Sequence, residues 1–316
     1  MTISDNRTPP TTPRNPMLKH LAYTLLLLTL FNGNAQAFTF KVATLSPDGS
    51  FWMQKMRAGG EEIAAKTKDR VNFKFYPGGV MGNNKGVLRK MRLNQLHGAA
   101  MTNGGLNKIY PDIQVYNLIL KFNSLEEVDY IRSKMDKELI AGLEEKGIVN
   151  FGFAEIGQAY LMSLFPIHTI SDMSNEKAWV PDNNEIALAA FQAFQVSPIP
   201  LPIKDVLIGL QTGMINVAAG SPIGALTLQW HTKIKYVLDL PLSYISGVFM
   251  LDKKAFNKIS EADQAIVRDV MNRVVSEINA QSRIDNINAL NALKNQDITF
   301  ISPTAEATEE LRTLII

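Results

Sequence analysis

Catalysis needs side chains that move protons, hold metals or attack carbonyls, and this sequence offers few of them in workable spacing. It has no cysteine, which excludes a disulfide framework, a Cys-ligated zinc or iron–sulfur site, a thiol nucleophile and a lipid-modified N-terminal cysteine. No two of its four histidines (His20, His97, His168 and His231) lie within metal-ligand spacing. His231 follows Trp230, but a general base needs an orienting partner, and no G-x-S-x-G elbow supplies a serine nucleophile. We read His231 as a surface or interlobe residue, and His97 and His168 as structural. The paired carboxylates Glu126-Glu127 and Glu144-Glu145 are adjacent on helices, where neighbouring positions diverge, so neither pair makes an acid/base dyad. Gly78-Gly79 and Gly104-Gly105 lack the residues that complete a phosphate-cradling loop. With 32 Lys+Arg against 30 Asp+Glu, the chain has no basic excess for nucleic acid. An enzyme, a cofactor and a metal site are therefore not expected.

What remains are flat apolar side chains and a few hydrogen-bonding ones. Phe51 and Trp52 directly follow the first predicted strand, and a parallel α/β sheet presents ligands at the carboxyl ends of its strands. Tyr160, Asp182, Ser221 and Trp230 are weaker candidates, and Trp230 suits a core equally well. The scattered methionines fill cores by default.

The elements that must position these residues follow from periodicity. Charged residues are 20% and hydrophobic residues 46% of the chain, an ordinary globular composition. Residues 21–31 form an eleven-residue apolar run, preceded by Arg14, Lys19 and His20 and followed by Ala35-Gln36-Ala37. These are the parts of a secretory signal peptide, and the run is shorter than the roughly 20 residues a membrane span needs. Residues 1–37 are thus read as a signal peptide cleaved after Ala37, which predicts export and, in a cell with an outer membrane, a periplasmic protein. Strands are predicted at 38–45, 71–75, 97–102, 148–153, 177–180, 197–201, 215–219 and 234–239. A helix is predicted after the Ser46-Pro47-Asp48-Gly49 turn to about Lys68, a second over 84–94, and a third from the Ser124-Leu125-Glu126-Glu127 cap to about Lys146. This alternation predicts an α/β protein with largely parallel sheets. From Ser260 to Asn295 there is no Gly or Pro. An apolar stripe runs through Ile266, Val267, Val270, Met271, Val274 and Ile278 and resumes at Ile284, Ile287 and Leu293. One helix of that length spans about 50 Å and would touch two domains; a break near Gln281-Ser282 is the alternative.

The order of motifs resembles the DctP-type solute-binding proteins of TRAP transporters. The likeness begins at Lys41-Val42-Ala43-Thr44 and Tyr76-Pro77-Gly78-Gly79, then Gly82 and Leu88-Arg89-Lys90-Met91-Arg92. It continues through Ser124-Leu125-Glu126-Glu127 and Val180-Pro181. It is sharpest at Gly209-Leu210-Gln211-Thr212-Gly213, Gln229-Trp230-His231-Thr232-Lys233 and Asp252-Lys253-Lys254-Ala255-Phe256. The resemblance implies a two-lobed periplasmic-binding-protein-like α/β fold, with crossing strands and a long helix bracing both lobes. It places lobe I at 38–155 plus 245–285 and lobe II at 156–244 plus 286–316. It also implies capture of one small ligand between the lobes, delivery to the transporter's membrane subunits, and no chemistry.

One departure matters. The family resemblance puts an arginine just before the Val-Pro pair, where it grips the ligand's carboxylate bidentately. Here that position is Trp179. Gly157-Gln158-Ala159-Tyr160 has no arginine where a second basic residue often stands, and Ala219-Gly220-Ser221-Pro222 stands where an asparagine is frequent. Desolvating an unpaired carboxylate costs several kcal/mol. A neutral or largely apolar ligand is therefore expected, with Trp179, Met101, Ile203, Gln158 and the backbone near Asn103 joining the candidates named above. A cation over the Trp179 face is a further option, and packing without ligand contact is the plainer role for that ring. The alternative function is a periplasmic carrier working with a TPR-repeat partner on a hydrophobic or lipid-like molecule.

Overall fold

The computed structural model describes residues 37–181 and 184–314. Of the residues 1–37 read as a signal peptide, 1–36 lie outside the described residues, as does Asp182.

The chain opens with β1 (Phe38–Thr44), α1 (Phe51–Lys66), β2 (Val71–Tyr76), α2 (Asn84–Arg92) and β3 (Gly98–Thr102). These match the predicted elements closely, because each is punctuated by a cap or turn. Ser50 Oγ accepts from Met53 N–H at the start of α1, and Asn83 Oδ1 accepts from Gly86 N–H at the start of α2. The buried positions of α1 (Met53, Met56, Gly59, Gly60 and Ile63) recur at helical spacing. Next come α3 (Leu125–Glu145) and β4 (Ile148–Ser163). Ser124 Oγ accepts from Glu127 N–H, but the Glu127 carboxylate turns to Asn123 instead, so the capping box closes one residue wider than predicted.

After β4 the elements shorten. They are β5 (Trp179–Pro181), α4 (Glu185–Ala193), β6 (Ile199–Leu201), α5 (Val206–Thr212), β7 (Val217–Gly220), α6 (Pro222–Thr227) and β8 (Tyr236–Leu238). The chain ends through β9 (Ser243–Asp252), α7 (Lys253–Phe256), α8 (Glu261–Lys294), β10 (Thr299–Ile301) and α9 (Ala305–Leu314).

The main sheet runs β10-β8-β4-β9-β3-β1-β2, with β7 also on β4. It corrects the expectation of largely parallel sheets. Pairs β1–β2, β1–β3 and β8–β10 are parallel, but β9 pairs antiparallel with β3 and β4, and β4 pairs antiparallel with β7 and β8. β9 carries no predicted strand, and β4 extends ten residues past its predicted end at 153. Two register shifts against β9, between Asn150 and Phe153 and between Glu155 and Gly157, break the alternation that periodicity reads. Gly157 has φ +128, a conformation that suits glycine.

Two cores flank the β1–β3 part of the sheet. One gathers Phe40, Met53, Phe249 and Val270, the other Leu106, Tyr116, Phe153 and Val248. Beyond the crossing, Met162, Trp179, Leu210 and Trp230 form a third core. The long helix α8 serves both lobes, through Val267, Val270, Met271, Val274 and Ile278 in the first core and Leu293 in the third. It is continuous over its 34 residues, so there is no break at Gln281-Ser282. Its stripe resumes at Leu293 as predicted but not at Ile284 and Ile287. Ile284 and Ile287 are exposed, while Ser282, Ala289 and Leu293 turn inward. Gly59 of α1 lets the two helices approach, since a Cβ there would stand 2.7 Å from Val274 Cγ2.

The start of α8 yields a pH prediction. Asp263 is buried; Arg70 Nη2 donates to its carboxylate at 2.7 Å, and the hydrogen bond from Arg70 chiefly holds its pKa below the ordinary carboxylate value. Because folding depresses this pKa, the contribution to stability is complete above the unfolded value of about 3.9. It is lost as pH falls through the folded value. Asp263→Asn should therefore destabilise the protein near pH 7, with a gap to wild type that closes below about pH 4, read by urea denaturation across pH.

Candidate functional site

A cavity of about 410 Å³ opens where the carboxyl ends of the parallel strands meet the crossing strands. Its walls come from the loop after β1, the start of α1, the end of β3, β5 with the loop after it, and the turn from β7 into α6. The middle of β4, the start of β9 and the α8 residues Ser282 and Asp285 complete it. The walls therefore come from elements on either side of the crossing strands β4 and β9.

Of the predicted site residues, Phe51, Trp52, Met101, Trp179, Ile203, Ser221 and Trp230 line this cavity. Trp179 is 3% exposed. Its Nε1–H donates to the Leu201 carbonyl at 2.9 Å, and its ring meets Trp230 edge-on, with centroids 5.5 Å apart. Trp179 thus packs in the core and also forms part of the wall. Its one N–H is already engaged, which leaves only apolar ring surface for a ligand. Ser221 Oγ caps α6 by accepting from Gly224 N–H.

Three predicted residues do not line the cavity. In β4 the cavity side chains are Ile156, Ala159 and Leu161; strand side chains alternate between faces, so Gln158 and Tyr160 turn the other way. Tyr160 is buried in the third core, and burial raises its pKa. Asn103 is fully buried, and its Nδ2 donates to Ser246 Oγ at 2.6 Å.

Several wall residues have no counterpart in the sequence reading. Ile119, Ile156, Phe191, Phe194, Leu242 and Leu311 all line the cavity, but as sequence they are indistinguishable from core. Asp285 looks like one more acid on a long helix.

The electrostatics are one-sided. No Lys or Arg lines the cavity among the described residues, and Asp285 and the exposed His168 are the titratable groups there. Arg283 turns away from it, to Asp129 and Glu155. His231 lies outside the lining, with Nδ1 3.2 Å from the Ala225 carbonyl. Burial lowers the pKa of His97, which sits 3.0 Å from the Thr39 carbonyl. Among the described residues no group of three His, Cys, Asp or Glu is placed to hold a metal ion, and no helix is long and apolar enough to cross a membrane.

Residues 42–315 match the DctP profile, described as bacterial extracellular solute-binding protein, family 7. The chain belongs to this family. A relative within it, the 2,3-diketo-L-gulonate-binding periplasmic protein YiaO of Escherichia coli K12, is 24% identical over 230 residues, 69% of this chain and 70% of the relative. The fold matches a TRAP periplasmic solute-binding protein of Pseudomonas putida F1 with bound D-glucuronate at a TM-score of 0.81 and 18% identity, covering 88% of this chain and 92% of that one. It also matches one from Desulfovibrio salexigens with bound orotic acid, at a TM-score of 0.80 and 18% identity, covering 88% and 90%. The DctP fold is the two-lobed α/β architecture described above.

Proposed function

We propose that this DctP-family chain is the extracytoplasmic solute-binding protein of a TRAP transporter, and that it captures a neutral or largely apolar small molecule in the interlobe cavity. We take lobe I as 38–155 with 245–285 and lobe II as 156–244 with 286–316. Trp179 and Trp230 grip the ligand from lobe II, and Phe51, Trp52 and Met101 from lobe I. A ligand that bridges both lobes stabilises the closed state over the open one, and the closed form is handed to the membrane subunits. The protein itself performs no chemistry. Export rests on the signal-like run at 21–31 and the extracellular description of the family.

The observation that carries the ligand class is the absence of any ammonium or guanidinium from the described lining. The relatives named above bind or hold organic acids. An acid placed in this cavity would lose its hydration and gain no counter-charge, at a cost of several kcal/mol. The TPR-repeat partner is not part of the proposal, because no feature of the described residues favours it.

The test is titration of ligand-stripped protein with D-glucuronate and with orotate, followed by tryptophan fluorescence and thermal unfolding. A bound ligand at 100 times its Kd would stabilise the protein by about 2.7 kcal/mol. Neither acid should raise the unfolding temperature at millimolar concentration. Saturable binding of either one at micromolar concentration would overturn the ligand class.

A further inference from the structure

Asp285 is the one formal charge that the inner wall of this cavity presents among the described residues. It is half-buried on α8. Its Oδ1 accepts from Gln281 Nε2 at 2.8 Å, a neutral donor, and no ion pair reaches it among the described residues. The cations of the same helix are committed elsewhere. Arg283 holds Glu155 and Asp129, Arg273 pairs with Glu277 and Glu62, Arg268 with Glu144 and Lys294 with Asp239.

The cavity that Asp285 lines is largely apolar, with Phe51, Trp52, Trp179 and Trp230 in its walls. Asn286, next in the chain, donates to the Ile156 carbonyl at 2.9 Å. A Cβ built on Gly247 would stand 3.3 Å from both Ile156 Cδ1 and Trp52 Cη2, so the Trp52 indole meets at the crossing the residue to which Asn286 ties α8. Apolar walls reduce the local dielectric, so an uncompensated carboxylate acts there more strongly than in water. Indole faces attract cations by their quadrupole.

Resting on the reading of this cavity as the ligand site, we propose that the ligand is an organic cation. Its ammonium or substituted ammonium head sits against Asp285, and its apolar body lies along the aromatic wall. The carboxylate that repels an organic acid is the group that selects this ligand. Asp285 thereby sets the specificity of the site.

The test compares three probes that share one hydrocarbon chain: hexylammonium, 1-hexanol and hexanoate. Binding is measured by calorimetry on ligand-stripped protein at pH 8, where histidine of ordinary pKa is neutral and an alkylamine is charged. Hexylammonium should bind about tenfold more tightly than 1-hexanol, with hexanoate weakest. Asp285→Asn retains an oxygen that can accept from Gln281. It should abolish the advantage of hexylammonium over 1-hexanol and bring hexanoate level with the alcohol. A thermal midpoint close to wild type checks that the variant is folded. If 1-hexanol binds and hexylammonium gains nothing over it, or keeps its gain in Asp285→Asn, the cation proposal is overturned and the apolar-ligand reading stands. If hexanoate binds most tightly, or no probe binds up to about 10 mM, both readings fall together.

Discussion

Arg283→Ala is expected to lower the stability of the protein by about 3 kcal/mol. The guanidinium reaches from α8 to two other elements. Its Nε and Nη2 donate to Glu155 Oε2 of β4 at 3.0 and 2.9 Å, and its Nη1 donates to Asp129 Oδ2 of α3 at 2.8 Å. Hydrogen bonding to Asp129, and then to Glu155, raises the Arg283 pKa. The Glu155 side chain is 1% exposed, so removing Arg283 strands a carboxylate away from water. Its remaining partner, the Tyr244 hydroxyl at 3.3 Å, accepts in turn from Arg132 Nη1 at 3.0 Å and offers only one proton. The position of Glu155 adds to the consequence. It lies at the second register shift of β4, beside Gly157, and its backbone N–H donates to Asn279 of α8. Arg283 therefore pins the bracing helix to the strand where the chain passes between lobes. Asp129→Ala, whose side chain is 50% exposed, should cost less than about 1 kcal/mol. Urea denaturation with an unchanged m-value reads both effects. A loss under about 1 kcal/mol for Arg283→Ala would show that solvent reaches Glu155 and that the pin is not structural.

Trp179→Ala should cost about 3–5 kcal/mol, as expected when a large buried aromatic is deleted. The indole touches the third core, stacks edge-on against Trp230 and closes a hydrogen bond to the Leu201 carbonyl. That bond fastens β5 to β6, a two-stranded sheet apart from the main one. Trp179→Phe keeps most of the apolar area and loses the hydrogen bond, so it should cost about 1–3 kcal/mol. The two substitutions separate packing from ligand contact. Both weaken stability, but if the ring forms part of the ligand's wall, Trp179→Phe also weakens the native ligand in calorimetry. Trp179→Arg should weaken it further, because a guanidinium introduced there needs hydration or a carboxylate that an apolar ligand lacks. Undiminished ligand affinity in both variants would return Trp179 to a packing role alone.

Much of the fold was legible because it is punctuated locally. Ser50, Asn83, Ser124 and Ser260 each accept from a first-turn N–H where the sequence places a helix start. The 34-residue helix α8 is readable from an uninterrupted absence of Gly and Pro. The family was readable from short motifs in order, and the profile match over 42–315 agrees. The long antiparallel strands were not legible. β4 carries Glu155 in mid-strand, and its register slips twice, so neither charge pattern nor alternation marks it. Gln158 and Tyr160 fall on the face opposite Ala159 and Leu161, because successive side chains of a strand point to opposite faces. Ile284 and Ile287 fit a helical stripe by spacing, yet the inward face near the crossing is held by Ser282 and by Asn286, a polar residue that bonds two backbones. Asp285 could not be singled out, because its significance lies in the absence of lysine and arginine around it, which only the folded cavity shows.

The claim on which the account depends is that the interlobe cavity takes a molecule without a carboxylate. Native mass spectrometry of protein purified from its own host, followed by denaturing extraction, measures this directly. The retained small molecule is expected to be neutral or cationic and largely apolar, and to be released when the protein unfolds. A retained sugar acid or dicarboxylate, bound one to one, would contradict it.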